Sequence, residues 1–253
     1  MSSFNQRAHN ALQDIELRGN FRRAMDGLMA KRRAMFPDQD ELKHLRDRGR
    51  QIKAGALSRL PDLLEQLERN CLAQGIQVHW AETTEEACAT VLDIAMRHDA
   101  RHMVKGKSMV SEEMELNHFM QQQGIECLES DLGEYIVQLA GEKPSHIIMP
   151  AIHKNRQQIA RLFEKRLAGA GYTEDVDELT AIARGILREK FAMADIGISG
   201  VNFAVAETGT LCLVENEGNG RMATTAPPVH IAVTGIEKVV ARLQDIPTLL
   251  TLL

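Results

Sequence analysis

The chain has 253 residues, enough for one large α/β domain or a domain with an arm, and too few for a string of modules. Its 44% hydrophobic and 26% charged content supports a full core, while 4% aromatic residues leave little for base-stacking surfaces. A net charge of -5 at pH 7 argues against nucleic acid as a partner, and no apolar run reaches the roughly 20 residues of a membrane span.

Read in order, residues 1–75 form successive helices, a helical arm or layer. Phe21, Met25, Leu28, Met29, Met35 and Phe36 follow a 3.6-residue period, and Pro37 ends that helix. Asp38 with Glu41 forms a capping-box pattern for the next helix. Pro61 then suits a first helical turn, and Gly75 suits a left-handed stop.

From residue 76 to residue 253 the texture is α/β. Ile76, Val78 and Trp80 alternate as a strand, and Thr83 with Glu86 caps a helix to about His98. Met103 and Val104 form a strand leading into Lys105-Gly106-Lys107-Ser108 and a helix to Gln123. Strands follow at Ile125–Leu128 and at 147–149, then a helix from about Asn155 to Leu167. A long helix with Glu174, Asp175, Asp177 and Glu178 at its start is expected to end near Gly197. Val201 to Val214 reads as a hairpin turning at Gly209, followed by a polar loop over 215–221, a strand at His230–Val233 and a short helix after Gly235. Strands alternating with crossover helices predict a mostly parallel sheet covered on both faces.

Several groups of residues could carry chemistry. Lys105, Gly106, Lys107 and Ser108 lie between a strand end and a helix start, where amides and two ammonium groups can meet an anion. The plain alternative is an ordinary turn with Ser108 as N-cap. Glu207, Thr208, Gly209 and Thr210 place a candidate general base beside two hydroxyls, or else form an exposed hairpin turn. Asn216, Glu217, Gly218, Asn219, Gly220 and Arg221 can hydrogen-bond a small polar molecule, or simply connect two elements.

Glu129, Asp131 and Glu134 could hold a metal or a hydroxylated guest, or else cap the next helix. His102, His146, His153 and His230 sit near strand ends, with His153 the first to test as a proton carrier. Cys71, Cys88, Cys127 and Cys212 include no CxxC pair, so they read as buried apolar residues in a reduced, cytoplasmic protein with no metal site.

The blocks Lys105-Gly106-Lys107-Ser108-Met109-Val110-Ser111-Glu112-Glu113, Asp131-Leu132-Gly133-Glu134-Tyr135-Ile136, Ile198 to Ala204, Ala206 to Leu211 and Asn216 to Arg221 closely resemble lactate-utilization (LUD) domain proteins. The likeness is closest to the amino-terminal half of the family's iron-sulfur branch, lactate-utilization protein B. It implies a three-layer Rossmann-like sheet similar to the sugar-phosphate isomerase and CoA-transferase superfamily. It also implies a part in a multi-subunit cytoplasmic complex oxidising L-lactate to pyruvate.

Full-length members carry [4Fe-4S] clusters in a carboxy-terminal ferredoxin-like module with CxxCxxCxxxC runs. This chain has no such run, so no cluster is expected in it, and the apolar Leu249 to Leu253 suggests a piece of a longer protein.

Three functions stay open. One is a ligand-binding and assembly domain for a small carboxylate or phosphate-bearing guest and for the other subunits. Another is a stand-alone isomerase or acyl-CoA transferase using Glu207, with Lys105 or Lys107 neutralising the substrate. The last is a ligand-free scaffold forming a homo-oligomer through the arm.

Overall fold

A computed structural model describes residues 3–146 and 149–253. Helices α1 (Phe4–Gln13), α2 (Ile15–Met35), α3 (Gln39–Leu57), α4 (Leu60–Ala73) and α5 (Thr84–Arg97) precede strand β1 (His102–Lys105). Next come α6 (Met109–Glu113), α7 (Leu116–Gln122) and β2 (Glu126–Glu129), and then α8 (Leu132–Ala140), α9 (Arg156–Arg166), α10 (Val176–Met193) and β3 (Ile196–Gly200). They are followed by β4 (Phe203–Val205), β5 (Thr210–Cys212), α11 (Asn219–Thr225), β6 (Val229–Val233), β7 (Val239–Val240) and α12 (Ile246–Leu252).

The chain divides into two compact units, Met1–Pro37 with Leu132–Arg188, and Asp38–Asp131 with Glu189–Leu253. The helices of residues 1–75 are thus shared out, α1 and α2 in the first unit, α3 and α4 in the second.

In the first unit the starts of α2, α9 and α10 are satisfied by their own sequence. The Asp14 carboxylate accepts the Leu17 amide at 2.9 Å, and Asn155 with Gln158 forms a reciprocal capping box on α9. Asp175 accepts the amides of Asp177 and Glu178 at 2.9 and 3.0 Å, which explains the acidic cluster before α10. The core of this unit joins Ile136, Ala160, Phe163, Leu179 and Ala183. The strand expected at 147–149 falls partly outside the described residues, and Met149 belongs to no strand.

The second unit holds a four-stranded parallel sheet in the order β2-β1-β3-β6. Successive residues of a strand face opposite sides. Met103 accordingly joins Cys88, Val91, Leu116 and Met120 on one face, while Val104 joins Phe191, Ala194 and Ala223 on the other. With helices on both faces, the sheet is the middle of three layers. The hairpin of β4 and β5 pairs Ala204 with Leu211 as the sequence suggests, but it belongs to a separate small sheet, β5-β4-β7.

Three expectations change. Residues 76–80 join no ladder: Val78 packs on the cluster that holds Leu63 and Leu67 of α4, and the Trp80 indole donates to Glu68 at 3.0 Å. The helix expected to run to Gln123 is two helices, broken at Glu115, whose φ of 51° is left-handed. The long helix stops at Met193, because Gly197 belongs to the interior strand β3. A Cβ at Gly197 would lie 1.7 Å from the Ala223 carbonyl oxygen, so only glycine lets α11 press against β3.

Candidate functional site

The carboxyl ends of β1, β2 and β3 converge, as ligand sites of parallel sheets do. Gly106 continues β1 by donating its amide to the Ile198 carbonyl at 2.8 Å. A Cβ placed there would be 3.7 Å from the Cα of Gly220, so the two glycines bring the 105–108 turn against the start of α11. At Gly200 a Cβ would meet the Ser108 Cβ at 3.0 Å and the Lys107 carbonyl at 3.3 Å. Three closely packed backbone segments thus frame a small cleft of about 50 Å³. Gly106, Lys107, Asp131, Ser199 and Gly200 line it together with Leu213, Val214, Glu215, Asn216, Asn219 and Gly220.

The charge in the cleft is mixed. Lys107 Nζ lies 3.1 Å from Asp131 Oδ2, and this lysine is partly exposed while Asp131 is buried. Glu215 pairs with the Arg221 guanidinium at 3.1 Å and accepts the Arg221 amide at 2.7 Å, which ties the loop to the first turn of α11. The Arg221 side chain itself is exposed. Gly218 takes φ 80° immediately before that helix. Ser199, buried at the end of β3, lies 2.8 Å through Oγ from His230 Nε2 on the neighbouring strand. Desolvation of the packed part of the His230 ring lowers its pKa below the ordinary histidine value, although the residue also has exposed surface.

Not every residue singled out in the sequence reaches this cleft. Lys105 is fully buried, and its Nζ lies 2.9 Å from Glu112 and 2.8 Å from Glu129. Its charge serves those two carboxylates and does not line the cleft, which corrects its expected role on a guest. Ser108 is the N-cap of α6, accepting the Ser111 amide at 3.3 Å. Asn216, Asn219 and Gly220 line the cleft; Glu217 and Gly218 lie between these positions along the chain.

None of the residues 207–210 lines the cleft. The Glu207 carboxylate accepts the Leu243 amide at 3.0 Å, and the Asn70 amide donates to the carbonyls of Ala206 and Glu207 at 2.8 and 3.0 Å. The Gln74 side chain donates to Thr208, and Thr208 bonds Thr210 at 2.8 Å. The Glu207 carboxylate thus caps the Leu243 backbone outside the cleft.

His102 lies 3.7 Å from Asp195, whose carboxylate also accepts the amides of Arg101 and His102. Glu134 falls in the first turn of α8, and His146 and His153 also belong to the first unit. Ser199 and Glu215 are lining residues missing from the sequence-based set. The signal for Ser199 was its place at a strand end, hidden because the strand itself went unread.

The thiols do not fit an iron-sulfur cluster, which needs four thiolates at one point. Cys71 packs in one apolar cluster, Cys88 and Cys127 in a second, and Cys212 against a third. Burial raises all four pKa values, that of Cys127 to about 12, so each stays a protonated thiol.

The family model described as LUD domain matches residues 64–253. The chain is 42% identical over its whole length to an uncharacterized electron transport protein, YkgF, of Escherichia coli strain K12. It is 40% identical to lactate utilization protein B of Bacillus pumilus and 42% identical to that of Bacillus cereus strain B4264, in each case over 99% of the chain. In all three the match covers 53% of the relative, so the chain spans about half the length of the curated relatives it matches. No solved structure gives a significant match.

Proposed function

The chain belongs to the LUD domain family, and on that premise we propose that it is the ligand-binding and assembly domain of an iron-sulfur oxidoreductase complex that oxidises L-lactate to pyruvate in the cytoplasm. The relatives named for lactate utilization and for electron transport support the pathway. The cleft supports the ligand class, and one observation carries it: the 105–108 turn and the 213–220 segment, about a hundred positions apart, line one hollow with Lys107 in its wall.

Asp131 beside Lys107 offsets much of the cationic field. A polyphosphate would therefore meet repulsion from Asp131 and Glu215, whereas a singly charged carboxylate needs only one ammonium. Asn216 and Asn219 offer both donors and acceptors for a neighbouring hydroxyl or keto oxygen. Within this reading the domain holds a small carboxylate and docks other subunits of the complex. Clusters, where relatives carry them, are held outside the residues described here.

Isothermal titration calorimetry of L-lactate and pyruvate against the chain tests the ligand class. Binding of either that weakens about tenfold or more in Lys107→Ala supports it, in line with the 1.5–3 kcal/mol of a charged hydrogen bond. No binding, or binding indifferent to Lys107, removes it. The enzymatic reading built on Glu207 is not pursued, because that carboxylate is outside the cleft and caps Leu243.

A further inference from the structure

Glu142, Ser145 and His153 lie in the first unit, between the end of α8 and the start of α9. His153 Nε2 is 2.6 Å from Glu142 Oε2, and His153 Nδ1 is 2.7 Å from Ser145 Oγ. Lys154 occupies the other oxygen of Glu142 at 2.7 Å. Backbone bonds hold all three members in place: the Glu142 amide donates to Val137, the Ser145 amide to Pro150, and the Asn20 side chain to the His153 carbonyl. The imidazole is mostly enclosed, at 13% side-chain exposure, while Ser145 is open to solvent.

The carboxylate fixes the tautomer. Burial alone would raise the Glu142 pKa, but hydrogen bonds from Lys154 and His153 hold it below the ordinary value, so Glu142 is ionised and can only accept. Nε2 then carries a hydrogen toward that carboxylate, and the neutral form of the ring presents its Nδ1 lone pair to Ser145. The serine hydroxyl donates to it. This is the order nucleophile, base, orienting acid, with the two ring nitrogens in the reverse of their places in the serine-protease triad.

We propose that Ser145 is the nucleophile of an acyl-transfer site, with His153 as its general base and Glu142 as the positioning residue. Ser145 Oγ attacks the carbonyl carbon of an ester, forming a C–O bond as its proton passes to His153 Nδ1. The ester C–O bond breaks, and the leaving oxygen takes that proton. Water then cleaves the acyl-serine by the same proton path, giving the carboxylic acid and free Ser145. The exposed hydroxyl sets no wall around the acyl group, so the substrate class is small esters with activated leaving groups. This assignment is independent of the lactate reading.

The test uses the full chain with a fluorophosphonate probe, which forms an O–P bond to an activated serine with loss of fluoride, and with p-nitrophenyl acetate. Mass spectrometry should place the label on Ser145. Labelling should slow about 100-fold in His153→Ala, within the usual range for removing a general base, and less in Glu142→Gln, which keeps a hydrogen-bond acceptor. Ser145→Ala removes one exposed oxygen and should abolish both label and ester turnover with thermal melting unchanged. A label absent from Ser145, a labelling rate unchanged in His153→Ala, or turnover surviving Ser145→Ala overturns the assignment.

Discussion

Residues 207–210 and 213–221 are both polar, both glycine-bearing, and separated by a few positions, yet their hydrogen-bonding groups are spent differently. In the first, Asn70 and Gln74 of the α4 region take the carbonyls of 206–208, Leu243 takes the carboxylate of Glu207, and Gly209 rests against the Asn70 backbone with φ 65°. In the second, Glu215 secures Arg221, while Asn216, Asn219 and Gly220 border open space. Composition states what a turn is able to bond. The neighbours decide whether those valences are already used inside the protein or stay available to a guest.

The same contrast separates Lys105 from Lys107, and it gives the largest expected effect. Lys105→Met removes the cation between Glu112 and Glu129 and should cost about 3–5 kcal/mol in urea unfolding, the range for stripping one partner from a buried pair. Lys107→Met, at a partly exposed pair, should cost about 1 kcal/mol or less. Equal losses would break the division between structural and guest-facing lysine.

Next in size is Gly209→Ala. It places a Cβ 2.8 Å from Asn70 backbone at a left-handed φ and should destabilise by about 1–3 kcal/mol without touching ligand affinity. Gly220→Ala is the counterpart. Its Cβ would press on the movable side chains of Leu213 and Glu215 at 3.0 and 3.1 Å, and alanine's helix gain of about 1 kcal/mol offsets that pressure. Stability should therefore hardly change while titration shows weaker binding in the narrowed cleft. A Gly209→Ala that lowers affinity and leaves the melt alone would invert the comparison.

The smallest effect concerns His230. Its folded pKa is depressed, so the folded state takes up a proton less readily than the unfolded chain. The stability difference is present above the unfolded value of about 6.5 and is lost as pH falls between that value and the folded one. His230→Gln should flatten this part of the curve of stability against pH, measured by denaturant midpoints. An unchanged slope would mean that the ring near Ser199 is not desolvated.

Much of the order of elements was legible, because caps and periods are local: Asp38 and Thr83 each accept the helix amide expected of them, and Gly209 turns its hairpin. What stayed illegible was nonlocal. β3 reads as Ile-Gly-Ile-Ser-Gly, and glycine is an unpromising strand residue until Ala223 and Ser108 are seen pressing on it. Losing β3 hid Ser199. Trp80 alternates with Val78 and Ile76 as a strand would, yet packing beside α4 prevailed over pairing. In the site, Lys107 and Asn219 could be suspected of meeting, but nothing in a spacing reveals that Lys105 turns inward to two carboxylates.

The strand order β2-β1-β3-β6 also has a consequence for synthesis. Met103 pairs with Ile196, so β1 and β2 leave the ribosome with the inner edge of β1 bare, and the whole first-unit segment Leu132–Arg188 must be made before β3 can cover it. During that interval the nascent chain presents an open parallel edge, the kind of surface that recruits other strands. High contact order of this sort slows closure of the sheet, and chaperone demand in the cell should peak before residue 200 emerges.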